Sequence, residues 1–478
     1  MKTRVAVIFG GRSVEHEVSI ISALQALNAL NKDKYEAFPL YISKDNRFYV
    51  GENLRDIASY RDMPACLAAA TRVLPVPAEG GIELVRYPMK KFGNNVMAAF
   101  DVAIPVVHGT NVEDGTLMGY LEMLGVPYAS CDVTSSALGM DKYAMKAVLA
   151  QAGIPVLPAR LYTGKQYAVY SEAVLHQIEQ EIGYPVIVKP VNLGSSVGIS
   201  KAKNRAELTD AMDLAVSFSA RVLVERAVPN LREINCSVLG DYETARPSAC
   251  EEPLNAEDIL TFGDKYLSGN GGKSGGSKGM TDLKRRCPAE LPEGMTELVQ
   301  KMAVSTFKKL GCMGVARIDF LNDKETGELW VNEINTIPGS LSFYLWQEVG
   351  VSFADLMDEL VSLAFKRQRE REQKVFDAGT RIGIQQCWDY LQLALRDPEL
   401  MGKNTFGRAR LEKLYAGIKE RVDYFHPAFT AEKEADVRQE ELDRCLKEIW
   451  EDDLSPFYER YDELKKFDYG KAKKGWVD

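Results

Sequence analysis

The 478-residue chain has no apolar run that approaches the length needed to span a bilayer, so a membrane-embedded protein is excluded as an expectation. Its start, MKTRVAVIFGG, is too short and too soon broken by glycine to be a secretory signal. A cytoplasmic protein is expected. The eight cysteines form no CxxC pair and no Cys/His cluster, which argues against structural zinc and a disulfide framework and leaves reduced, mostly buried thiols. Excess positive charge is also missing. A net charge of −9 argues against a nucleic-acid-binding surface, although a local basic groove for a nucleotide anion remains compatible with it.

What is present is a soluble composition, 46% hydrophobic and 27% charged, in a chain too long for one ordinary core. The first stretch alternates strand-like and helix-like pieces: RVAVIFGG, a helix from about Ser19 to Leu30, YEAFPLYIS, DVAIPVVHG, and a helix through Leu117 to Leu124. This predicts α/β layering with parallel strands over residues 1–133. Residues 49–91 read as an irregular insert. A second unit, 134–231, holds a helix from Lys142 to Ala152, the strand YPVIVKP, the turn NLGSSVGIS and the strand VLVERAV. The third, 232–375, begins with REINCSVLG and contains the glycine-rich run Ser268–Met280, read as a mobile loop. After a charged hinge, KRQREREQK, apolar residues recur at helical spacing from about Arg381, including Leu411, Leu414, Ile418, Val422 and Phe425, with His426-Pro427 as a stop. Residues 381–478 are therefore expected to form a small all-helical extension, either a self-contained bundle or a module for a protein partner.

The chemistry concentrates in RIDF, Arg317 to Phe320, and in LWVNEINTIPGS, which ends at Ser340. One short strand delivers Asp319, and a second delivers Glu333 and Asn335 two residues apart and so on one face. Two carboxylates and an amide without a soft ligand suit Mg²⁺ shared with nucleotide phosphates, and Mn²⁺ would accept the same set. Solvent-facing acids on ordinary strands are the bland alternative. Upstream, GSSVG at Gly194–Gly198 follows a strand carrying Lys189, so its backbone amides can converge on phosphate oxygens beside a fixed cation. A lone glycine-serine turn would be a plain hairpin; its company with Lys142, Lys189 and the acid trio favours a nucleotide.

With these motifs in order, the chain from Met1 to about Gly379 resembles the D-alanine:D-alanine ligases of the ATP-grasp superfamily. GGRSVEHEVS resembles the first signature, with Glu15 and Ser19 facing the first substrate, and HGTNVEDG resembles the second, with His108 near the transferred phosphate. The resemblance implies an N-terminal parallel-sheet α/β domain followed by central and C-terminal ATP-grasp domains. It assigns Lys142, Lys189, Ser196, Glu225, Val228 and Glu233 to ATP; Asp319, Glu333 and Asn335 to the metal; and Lys265, Ser340 and Tyr344 with Ser19 and His108 to the substrates. Glu15, Ser195 and Tyr266 are implied to link the first substrate to the closed loop, with Arg317 and the backbone N–H of Gly339 facing the oxyanion. The implied reaction joins two D-alanines through an acyl phosphate for peptidoglycan precursors, and the implied assembly is a homodimer. The chain departs from the pattern at Val112, where glycine is usual, at Arg226 and Ala227, and in SLSFYLW, where Tyr344 falls on a serine that commonly binds the second substrate's carboxylate. That change keeps D-serine or D-lactate open as the second substrate, and a binding protein that senses ATP and D-alanine is the reading from another class.

Overall fold

In the computed structural model the described residues are 2–78, 81–194, 197–254 and 285–371, together with the helix Arg408–Phe425 and a few isolated positions beyond 371. Residues 1–371 form one compact unit and 372–478 a second. Three sheets organise the first.

The N-terminal sheet contains β1 (Thr3–Gly10), β2 (Tyr35–Ile42), β3 (Phe48–Val50), β4 (Thr71–Ala78), β5 (Gly81–Arg86), β6 (Val96–Phe100) and β7 (Val102–Pro105), in the order β6-β5-β4-β3-β2-β1-β7. Val5, Ala6, Val7 and Phe9 in β1 are fully buried, as a central strand covered on both faces requires. Only β2, β1 and β7 pair in parallel; β3 to β6 run antiparallel. The expected parallel strands β2, β1 and β7 form the centre of a mixed sheet, and the supposed irregular insert supplies strands β3, β4 and β5 and a helix, Met63–Ala69. Its alternation was hidden by prolines: Pro75 and Pro77 interrupt the apolar rhythm of β4.

The second sheet, β10 (Ser200–Ala202), β9 (Val186–Pro190), β11 (Arg221–Arg226) and β8 (Ala159–Thr163), packs its apolar face under the helices Gly164–Glu181 and Arg205–Phe218. The third runs β14 (Arg285–Arg286), β13 (Ala245–Pro253), β12 (Leu231–Gly240), β15 (Gly314–Asp323) and β16 (Leu329–Asn335), all antiparallel. The helix Met295–Lys309 buries Val299, Ala303 and Phe307 against it. The strands Val186–Pro190 and Arg221–Arg226 and the helix Lys142–Gln151 lie within a residue or two of their expected bounds.

The charged hinge does not start where its composition suggested. Lys366 and Arg367 belong to a helix over 353–371 and anchor it. Lys366 Nζ reaches Asp241 Oδ2 at 2.7 Å, while the Arg367 guanidinium donates to the Ser130 and Tyr128 carbonyls and stacks on the Tyr128 ring at 3.8 Å. In the second unit, the helix Arg408–Phe425 is described, and the expected stop at His426-Pro427 lies outside the described residues. The other helices expected after Arg381, and the loop Ser268–Met280, lie outside the described residues. Among the described residues no helix is long and apolar enough to cross a membrane.

Candidate active site

Strand pairing assembles the acid trio. Arg317 lies opposite Asn335, and Asp319 opposite Glu333, on β15 and β16. Opposed residues of antiparallel strands share a face, so all four side chains rise from one side of the hairpin. Arg317 clamps Asp319 through two hydrogen bonds, Nε to Oδ1 at 2.7 Å and Nη2 to Oδ2 at 2.8 Å, and Asn335 Nδ2 donates to the same Oδ2 at 3.0 Å. The amide nitrogen is thereby spent within the protein, so the carbonyl oxygen is the atom of Asn335 suited to a cation. Among the described residues no cluster of three or more His, Cys, Asp and Glu forms, in keeping with a site of two carboxylates and one amide. This donor chemistry fits a hard divalent ion that keeps other oxygen ligands.

A β-bulge between Asp319 and Phe320 gives β16 one extra residue, Asn332. Its Oδ1 accepts from Lys189 Nζ at 3.2 Å. Lys142 Nζ donates to the Leu193 carbonyl at 2.8 Å and stands 3.3 Å from Glu333 Oε2. Both lysines predicted from the sequence thus meet the third sheet's acidic edge from the second sheet's side. Glu225 is only 1% exposed, pairing with Lys189 and, at 3.0 Å, with Lys146 Nζ. Burial pushes its pKa up, but the two lysines outweigh burial and hold the carboxylate below its ordinary value. Glu225 therefore anchors two cations here. Lys146 was missed; lying four residues after Lys142, it shares a helix face with it. Glu233 lies on β12 and Val228 just beyond β11, both half-buried.

The N-terminal unit brings Glu15 to the turn that begins at Gly194. A Cβ added to Gly194 would lie 2.8 Å from Glu15 Oε2, and one on Gly109 would meet the same oxygen at 2.8 Å, so glycine at both positions lets the carboxylate sit between two backbones. Ser195, Ser196, Lys265 and Tyr266 lie outside the described residues. Ser19, expected to face the first substrate, is fully buried; its hydroxyl accepts from Gly10 N–H at 2.8 Å and donates to the His16 carbonyl at 2.7 Å, bracing the backbone there.

His108 is likewise structural in its contacts. Its Nδ1 lies 2.9 Å from the Ile337 carbonyl and its Nε2 3.1 Å from Ser22 Oγ. A carbonyl can only accept, so Nδ1 carries the proton and Ser22 donates to Nε2; Ser22 Oγ then accepts from Ser340 N–H at 3.0 Å. Burial lowers the His108 pKa to about 4, so the ring is neutral, and both nitrogens are engaged away from the expected phosphate contact. Glu113 makes the parallel strap: its oxygens accept from Gly109 N–H at 2.9 Å, Ile337 N–H at 3.0 Å and the Thr336 hydroxyl at 3.3 Å. The segment after Gly339 is strained. Ser340, Leu341 and Ser342 have φ of 49°, 53° and 52°, three successive left-handed residues at a cost of about 1–2 kcal/mol each. Ser340 and Ser342 are fully buried. Tyr344 follows in the helix Phe343–Gln347, and its hydroxyl donates to Glu251 Oε1 at 2.9 Å. Val112 at its departure from the glycine pattern is buried and fills the space a Cβ on Gly11 would need.

A four-stranded sheet carrying Lys189, with Lys142 on the neighbouring helix, set against a second sheet whose edge holds two carboxylates and an amide, is the architecture of an ATP-grasp ligase. The family models for the N-terminus and C-terminus of D-ala D-ala ligase match residues 4–131 and 148–362. The chain is 35% identical over 378 residues to a D-alanine–D-alanine ligase of Thermosipho africanus, covering 79% of this chain and 97% of the relative. It is 40% identical over 379 residues to one of Thermoanaerobacter sp. (strain X514), covering 77% and 98%. A solved D-alanine–D-alanine ligase from Coxiella burnetii superposes with a TM-score of 0.67 at 28% identity over 80% of this chain and 99% of that one. A D-Ala:D-Ser ligase from Enterococcus faecalis gives 0.62 at 30%, over 76% and 100%. The chain belongs to the D-alanine–D-alanine ligase family.

Proposed function

We propose that the chain joins two D-alanines into D-alanyl-D-alanine, a peptidoglycan precursor, at the expense of ATP, and that the residues gathered around the β15–β16 hairpin carry the reaction. The observation that bears most weight is the Arg317–Asp319 clamp facing Glu333 and Asn335, with Lys142 and Lys189 arriving from the opposite sheet. A magnesium ion held by Asp319, Glu333 and Asn335 would neutralise phosphate charge during transfer. Lys142 and Lys189 hold the phosphates from the other side. The first D-alanine's ammonium is received by Glu15, which lies against the Gly194 turn, so its carboxylate is directed to the γ-phosphate and an acyl phosphate forms. The second D-alanine's amine then attacks the acyl carbonyl, phosphate leaves, and Arg317 with the Gly339 N–H stabilises the developing oxyanion. The amine loses a proton as the amide forms.

Ser195 and Tyr266 close the loop over the first substrate in this reading, and Ser196, Lys265, Val228 and Glu233 contribute to nucleotide and loop contacts, on the family resemblance alone. The enzyme acts as a homodimer in the cytoplasm. The test is ATP-dependent phosphate release with D-alanine, alone and paired with D-serine or D-lactate, with products identified by mass spectrometry. D-alanyl-D-alanine should dominate. A mixed depsipeptide or D-alanyl-D-serine product would replace the reading, and tight ATP binding without any product would favour a sensor.

A further inference from the structure

A buried polar assembly borders the Arg317–Asp319 pair and takes no part in the steps above. Glu251 of β13 lies opposite Asn235 of β12, Asn235 opposite Asp319, and Asp319 opposite Glu333. The row of side chains that carries the metal-site acids therefore continues two strands further and ends on another carboxylate. Glu251 is 3% exposed. Its Oε1 accepts from Asn235 Nδ2 at 3.0 Å and from the Tyr344 hydroxyl at 2.9 Å, and Oε2 faces Arg285 Nη1 at 3.5 Å. The Arg285 guanidinium lies flat against Tyr344, 3.9 Å from the ring centroid. A carboxylate buried this deeply is costly unless paired and hydrogen-bonded, and here Asn235, Tyr344 and Arg285 all serve it.

Two consequences follow for the acceptor amino acid. The single phenolic proton of Tyr344 goes to Glu251, so this hydroxyl has no donor left for a substrate carboxylate. In an α-amino acid only the Cα separates the attacking nitrogen from the carboxyl carbon, a distance of about 2.5 Å. Once the amine reaches the carbonyl carbon beside Arg317, the acceptor's carboxylate must lie within a side chain's length of it. Lys142 and Lys189 stand on the phosphate side, with the Leu193 carbonyl and Asn332. On the side of β12, β13 and β14, Arg285 lies opposite Pro253, two residues from Glu251, and so shares the face of Glu251. Its guanidinium carries its donors in a planar fork that matches a carboxylate.

We propose that Arg285, stacked on Tyr344 and held by Glu251, receives the carboxylate of the acceptor amino acid, with Glu251 as the positioning residue that fixes both partners. This rests on the ligase reading above. The experiment offers the full-length enzyme, with ATP, Mg²⁺ and D-alanine as donor, a mixture of D-alanine and D-alaninamide as acceptors, and measures the ratio of the two products by mass spectrometry. The parent should prefer the free carboxylate. Arg285→Gln should lower that preference about tenfold or more, the value of a lost charge-assisted pair, with the KM for ATP unchanged. Glu251→Gln should lower it less. An Arg285→Gln ratio equal to the parent's overturns the assignment. Should that variant not fold, Arg285→Lys carries the test, since it keeps charge but loses the fork and the stacking: a ratio lowered several-fold supports the assignment and an unchanged one overturns it. A parent that makes no dipeptide at all overturns the ligase reading itself, whereas dipeptide with unchanged ratios in the variants overturns this inference alone.

Discussion

Glu113→Gln separates charge from hydrogen bonding in the strap that ties the HGT loop to the segment after β16. Burial first, and the nearby Glu15 charge second, raise the Glu113 pKa from its ordinary 4.5 to about 7. Because the folded state binds this proton more tightly than the unfolded chain, the contribution is complete below about pH 4.5 and is lost as pH rises through about 7. At about 1.4 kcal/mol per pH unit, roughly 1.3 kcal/mol of it disappears between pH 6 and pH 8. Glutamine does not titrate. Its amide nitrogen must face either Gly109 N–H or Ile337 N–H, leaving a buried donor without its acceptor at a pH-independent cost of about 1–3 kcal/mol. The variant should therefore melt below the parent at pH 6, and the gap should narrow by about 1–2 °C at pH 8. Thermal unfolding of both proteins at the two pH values measures this. A gap that stays constant or widens would refute the protonation argument.

Arg317→Ala should lower turnover by about 10²-fold or more while ATP binding is largely kept, measured by phosphate release and nucleotide titration; comparable turnover would remove Arg317 from the chemistry. Lys146→Met should destabilise by about 1–3 kcal/mol in denaturant unfolding, less than a buried pair broken outright because Lys189 still faces Glu225. Tyr344→Phe keeps the ring under Arg285 but removes a hydrogen bond to a buried carboxylate, so a loss of about 1–3 kcal/mol is expected by the same method. A chain ending at Arg371 should retain ligation in the phosphate-release assay, because the compact unit closes there and the match to the ligase C-terminal family model ends at residue 362.

Residues whose role follows from strand periodicity were legible in the sequence. Asp319, Glu333 and Asn335 share a face because alternation and one cross-strand register require it, and Lys189 is fixed by standing at the end of a short buried strand. Residues whose role depends on a contact between distant segments were not. Nothing local in HEVSIIS shows that Ser22 will meet His108 and Ser340, 86 and 318 positions away. Glu251 is harder still, since an acid in an apolar-looking strand reads as an exposed position until Asn235 and Tyr344 are seen to surround it. The same limit explains Tyr344. Its alignment with a carboxylate-binding serine concerns where its backbone runs, but a phenol extends several ångströms farther than a serine hydroxyl, and at that reach Glu251 is its partner. A substitution that lengthens a side chain thus changes which groups its end touches, here Glu251 at the hydroxyl and Arg285 over the ring.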